Sequence, residues 1–148
     1  MNMKNVIANW FAWLQSAVSS QEQPLSSVYS DGRQLWASDG YRLHALDVAL
    51  GQPGRVTVSE DGLFQVEAAS DIPALAATLP EDQPVASVVV SAALLRDAVA
   101  GQEGLVRLSL YGPERPLELA GTGQYALVMP VTEAEEWWFW RPEKKESG

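Results

Sequence analysis

Two stretches decide how this chain reads: Ala37-Ser38-Asp39-Gly40-Tyr41-Arg42-Leu43, and Tyr125-Ala126-Leu127-Val128-Met129-Pro130-Val131 near the other end. In the first, an Asp39-Gly40 pair interrupts a β-rich run from Gln34 to Val48. An Asp-Gly pair among strand residues marks a turn or a bulge, because glycine takes positive φ without a Cβ penalty. In the second, alternating apolar residues lead into Met129-Pro130. Proline has no N–H to give a ladder, so a strand is expected to end there.

Working outward, Asp31-Gly32 separates a β-rich stretch at Leu25–Ser30 from the run beginning at Gln34, which predicts a hairpin. Glu60-Asp61-Gly62 between Arg55–Val58 and Leu63–Val66 predicts a second. Ile7, Trp10, Phe11, Leu14 and Val18 fall on one stripe of a helix over Asn9–Ser19, with Asn9 as N-cap and a short strand at Lys4–Ala8 before it. Residues 68–84, with Pro73, Pro80 and Pro84, read as a connector holding at most a helical turn at Ala74–Thr78. A strand at Ala86–Val90 then leads to Ser91 as N-cap of a helix Ala92–Ala100. On that helix Leu94, Leu95, Ala98 and Val99 are expected to face the core, and Gly101 stops it. Strands at Leu105–Tyr111, Pro116–Ala120 and Gln124–Val131 complete the chain's regular structure. In order these elements spell a βαβββ unit twice, with a β-hairpin inserted between the copies. Trp13–Val18 echoes Leu94–Val99 in the two helices.

The first stretch resembles the signature Ala-Thr-Asp-Gly-(His or Tyr)-Arg-Leu of the bacterial DNA sliding clamp, the beta subunit of the replicative DNA polymerase. The second resembles that family's closing Tyr-x-x-aliphatic-Met-Pro strand. The duplicated βαβββ unit is also the internal plan of one clamp domain, so the resemblance covers roughly one domain of a protein that ordinarily has several. It implies an α+β, DNA-clamp-like fold with two helices on antiparallel sheets: one domain over 1–131, an insertion at about 52–84, and an acidic, aromatic tail at 132–148. In the family the two signature strands wall a hydrophobic cleft for peptides from polymerases, the clamp loader and repair proteins. Carried over, Ser38, Gly40, Tyr41, Arg42 and Leu43 form one wall and Val128, Met129 and Pro130 the other. Ser38 stands where the family has Thr. The family also takes the two walls from neighbouring domains, so a complete cleft here needs two copies of the chain.

The chemistry of the remaining residues bounds the function. The net charge of −9 opposes a surface that attracts a polyanion as a whole. The family's DNA-facing side chains lie on its helices, yet no basic residue falls between Asn9 and Ser20, and the second helix offers only Arg96, beside Asp97. Arg33, Arg42, Arg55, Arg107 and Arg115 are scattered. DNA is therefore a weakly supported partner, because each phosphate contact carries its own share of affinity. The absence of cysteine removes disulfides, thiol catalysis and cysteine-held metal. His44 stands alone in a strand, and Asp31, Asp39, Asp47 and Asp61 are explained by turns. Gly121-Thr122-Gly123-Gln124-Tyr125-Ala126 has the spacing of a dinucleotide loop but precedes a strand where phosphate binding needs a helix. The expectation is a non-enzyme with no cofactor and no metal.

No apolar run is long enough to span a membrane, and Met1–Asn9 lacks the apolar core of a secretion signal, so a soluble cytoplasmic protein is expected. The tail carries Trp137, Trp138, Phe139 and Trp140 behind an acidic run. Four large aromatics are costly to leave in water, so they are expected to dock on the chain's own sheet, on a second copy, or in a peptide cleft. The resulting expectation is a sliding-clamp-like processivity or scaffold protein of DNA replication or repair that self-associates and binds partner peptides. The alternative is a stand-alone clamp-fold interaction or regulatory module that does not encircle DNA.

Overall fold

Apolar residues at helical spacing start the chain's first element, helix α1, Met3–Gln15. The computed structural model describes residues 3–18, 25–69, 72–132 and 138–143, with residues 3–8 given by their backbone. The expected strand at Lys4–Ala8 is instead the first part of α1. The reason lies in the period: Ile7 precedes Phe11 and Leu14 at i−4 and i−7, so the apolar stripe runs one turn further back. Asn9 is consequently inside the helix and not its cap, and α1 gains Lys4. Phe11 and Leu14 are buried, as is Ala17 just beyond the helix, whereas Trp10 stays at the surface. The last turn tightens into i→i+3 bonds, Ala17 N–H to Leu14 O at 3.0 Å and Val18 N–H to Gln15 O at 3.2 Å.

Strands β1 (Val28–Asp31), β2 (Leu35–Ser38), β3 (Leu43–Leu46), β4 (Pro53–Val58) and β5 (Phe64–Glu67) form one antiparallel sheet in the order β3-β2-β1-β4-β5. Side chains alternate across it. Val28, Leu35, Ala37 and Val56 share one face and make a core with Phe11, Leu14 and Ala17, to which Phe64 and Val66 add. Phe11 meets Phe64 edge to face at 5.9 Å. Tyr29 and Trp36, directly paired across β1 and β2, occupy the opposite face and are also buried. Beside them runs a 3-10 turn, Leu75–Thr78, which falls where the connector was expected to make a helical turn. The β4–β5 hairpin joins the sheet through β4 against β1, with Ser30 paired to Gly54.

Further along, Ser91 caps helix α2 (Ala92–Ala100), its Oγ accepting the Leu94 N–H at 3.3 Å, as its sequence predicts. Strands β6 (Arg107–Leu110), β7 (Leu117–Ala120) and β8 (Tyr125–Val128) form a second antiparallel sheet. Leu117, Leu119 and Val128 are its buried centre, with Leu95, Ala98, Val88 and Val90 packed against them. Leu94 and Val99, expected in this core, are exposed. They lie a helical step to either side of the Leu95–Ala98 stripe, and a short helix on three short strands covers only that stripe.

Residues 86–90 do not form the expected strand. Val88 and Val90 pack inward, but one bond, Val131 N–H to Val89 O at 2.8 Å, stands in place of a ladder. Pro130 interrupts the neighbouring segment there and has no N–H to extend the pairing.

The described residues are thus α+β: eight strands in two antiparallel sheets, with two α-helices. The chain divides into two compact units, residues 1–79 with 140–148, and residues 80–139. Among the described residues no helix is long and apolar enough to cross a membrane.

Candidate functional site

The first signature segment owes its shape to a turn that the chain builds twice. At Ser30-Asp31-Gly32, the Ser30 Oγ accepts the Gly32 N–H at 3.0 Å. The Asp31 Oδ1 accepts the N–H groups of Arg33 at 2.8 Å and Gln34 at 2.9 Å, and its Oδ2 accepts the Gln34 Nε2 at 3.1 Å. At Ser38-Asp39-Gly40 the pattern repeats. Ser38 Oγ accepts the Gly40 N–H at 3.0 Å, Asp39 Oδ1 accepts from Tyr41 at 2.9 Å and Arg42 at 3.1 Å, and Asp39 Oδ2 accepts the Arg42 Nε at 3.2 Å. Gly32 and Gly40 both sit at positive φ, +99° and +93°, where a Cβ is penalised. The hairpin closes on Gly32-Arg33, one residue later than the Asp-Gly reading places it, through Asp31 N–H to Gln34 O at 3.2 Å. Aspartate is the acceptor at the start of each turn and glycine its first bend.

These bonds act on the carboxylates. Partial burial pushes the Asp31 acid up, but the donors from Arg33, Trp36 and Gln34 outweigh it and hold the acid below its ordinary value. The Trp36 Nε1 bond is 3.0 Å long. The Asp39 acid is held down first by the Tyr41 N–H, against some desolvation, and then by Arg42. A carboxylate whose folded value is depressed stabilises the fold above the ordinary carboxylate range, and that contribution is lost as pH falls through the folded value. Asp31→Asn is accordingly expected to cost about 1–2 kcal/mol at neutral pH, allowing for solvent screening of a half-exposed group. The gap from wild type should close in acid. Urea titrations at pH 7 and pH 3 check this, and a gap that stays constant would contradict it.

The first wall expected of a peptide cleft is β2, this turn and β3. Ser38 is buried and spent on Gly40, Leu43 is half-buried, and Tyr41 is 98% exposed. Arg42 turns back to α1, donating to the Ser16 carbonyl. His44 joins it there: its Nδ1–H donates to the Trp13 carbonyl at 2.9 Å and its ring stacks on the Trp13 indole at 4.1 Å. Together they satisfy carbonyls that the end of a helix leaves without intrahelical donors. His44 therefore has a structural occupation.

The second wall, Val128-Met129-Pro130, lies in the other unit. Val128 is part of the core, Pro130 is half-buried and Met129 is 59% exposed. Just before it, Tyr125 Oη donates to Glu118 Oε2 at 2.7 Å and Tyr111 Oη to Oε1 at 3.2 Å. The Glu118 carboxylate holds the Tyr125 phenol above its ordinary value. Arg96 is exposed on α2. Gly121 N–H closes a turn on Gln124 O at 2.9 Å and β8 follows.

Of the tail aromatics, Trp137 lies outside the described residues, Trp138 and Phe139 are exposed, and Trp140 is half-buried. The residue that anchors the tail was not singled out by the sequence: Gln34, buried at the first turn, holds the main chain of Glu143. Asp31 and Trp36 also line a mainly apolar cavity of about 320 Å³ with Tyr29, Pro73 and Leu75. Among the described residues no three His, Cys, Asp or Glu side chains come close enough to share a metal ion. Comparisons of the chain with family models, curated proteins and solved structures find no match.

Proposed function

We propose that this chain is a sliding-clamp-like scaffold of DNA replication or repair that associates with itself and offers a hydrophobic cleft to partner peptides. The observation that carries the self-association is β6, one of the two outer strands of the second sheet. Leu108 and Leu110 pair with Leu119 and Leu117 on the core face, yet remain 56% and 43% exposed. An outer strand carrying half-covered leucines favours continuation of the sheet into another copy. The cleft reading is supported by Tyr41 and Met129, which are exposed on the two signature segments. In the proposed assembly the two walls of a cleft come from neighbouring copies.

A second reading keeps the interaction role without a ring around DNA. It is favoured by the net charge of −9 and by Arg96 standing next to Asp97 on α2.

Leu108→Glu places a charge on the β6 edge and is expected to reduce the native mass toward the monomer, read by light scattering. An associated mass that the substitution leaves unchanged would remove β6 from the interface.

A further inference from the structure

At the β1–β2 turn, the Gln34 side-chain amide reads the main chain of one tail residue. Its Nε2 donates to the Glu143 carbonyl at 2.7 Å, and the Glu143 N–H donates to its Oε1 at 3.3 Å. The second Nε2 hydrogen goes to Asp31 Oδ2 at 3.1 Å. Asp31 is an acceptor, so this bond fixes which end of the amide is the donor, and Asp31 is itself held by Trp36 at 3.0 Å. Arg33 on the same turn reaches the Glu143 carboxylate at 3.5 Å. With the tail in place Gln34 is almost fully buried. Pro142 disfavours helical backbone at Arg141, just ahead of the residue that is held.

We propose that this turn is a peptide receptor. Its ligand is the chain's own segment Trp140–Glu143, held in cis and exchangeable with the same segment of a second copy. The selectivity follows from its parts: two main-chain bonds that any extended residue with an N–H satisfies, and one arginine that favours an acidic side chain there. The receptor rests on the tail contacts alone and stands or falls separately from the clamp reading.

The test uses the full chain labelled with nitrogen-15. The Glu143 amide is expected to exchange at least tenfold more slowly than in a synthetic peptide of residues 138–146, and Gln34→Ala should remove that protection. Excess unlabelled peptide should move the Glu143 resonance of the intact chain to its free position. A peptide N-methylated at Glu143 lacks the N–H and should fail to displace it, a control that leaves the protein's fold untouched. The proposal is overturned if Glu143 exchanges as in the free peptide, if protection survives Gln34→Ala, if millimolar peptide leaves the resonance in place, or if the methylated peptide competes equally.

Discussion

Leu35→Ala is expected to lower the stability of the first unit by about 3–5 kcal/mol, the range for a fully buried leucine whose cavity cannot collapse. Leu35 is 0% exposed and lies in the cluster that joins β1, β2 and β4 to α1 through Leu14, also 0% exposed. Truncating it removes contacts on both sides at once, because the helix and the sheet each rely on the same layer. Leu94→Ala on α2 is the internal contrast: Leu94 is exposed, and its loss should cost less than about 1 kcal/mol. Urea unfolding followed by far-ultraviolet circular dichroism, to which both units contribute, reads the difference. A loss below about 2 kcal/mol for Leu35→Ala would mean that this layer is not the core.

The second large effect is expected at Gly54. It pairs with Ser30 across β1 and β4, at φ +156°. A Cβ there would collide with the Glu67 carbonyl oxygen of β5 and stand 2.7 Å from Val66 Cγ1. Neither side can yield cheaply. The carbonyl belongs to backbone, and Val66 packs on the first core. Ser30 opposite is fully buried, with its Oγ donating to the Gln52 carbonyl at 2.9 Å. Overpacking and backbone strain together are expected to cost about 2–4 kcal/mol in Gly54→Ala. Amide exchange should accelerate first in β4 and β5. An alanine variant as stable as wild type would show that the two strands pair less closely than the structure has them.

Much of this was open to a reader of the sequence. The Asp-Gly and Glu-Asp-Gly turns, the helix after Ser91 and the closing strands follow from short-range rules of turn, cap and alternation. What escaped depends on partners distant in the chain. The start of α1 was hidden because Lys4 and Asn5 dilute the apolar stripe that Ile7 continues. Residues 86–90 have a strand's composition, but their partner carries Pro130, and composition cannot register what a neighbour lacks. Leu94 and Leu95 look alike in sequence, and the width of the sheet beneath decides which one packs.

At the candidate site, Ser-Asp-Gly occurs at 30–32 and again at 38–40. That repeat was a legible sign that the signature segment is first a self-bonded turn. Arg42 and His44 could not be assigned to the end of α1 from sequence, since α1 lies far upstream. Nor could Gln34, whose ligand lies at the other end of the chain.

Native mass in solution, measured by light scattering across a wide range of protein concentration, tests the self-associating scaffold most directly. Self-association predicts a mass above the 16.1 kDa of one chain that rises with concentration toward a closed assembly. A mass of 16.1 kDa at every concentration would contradict it, because the proposed scaffold associates with itself.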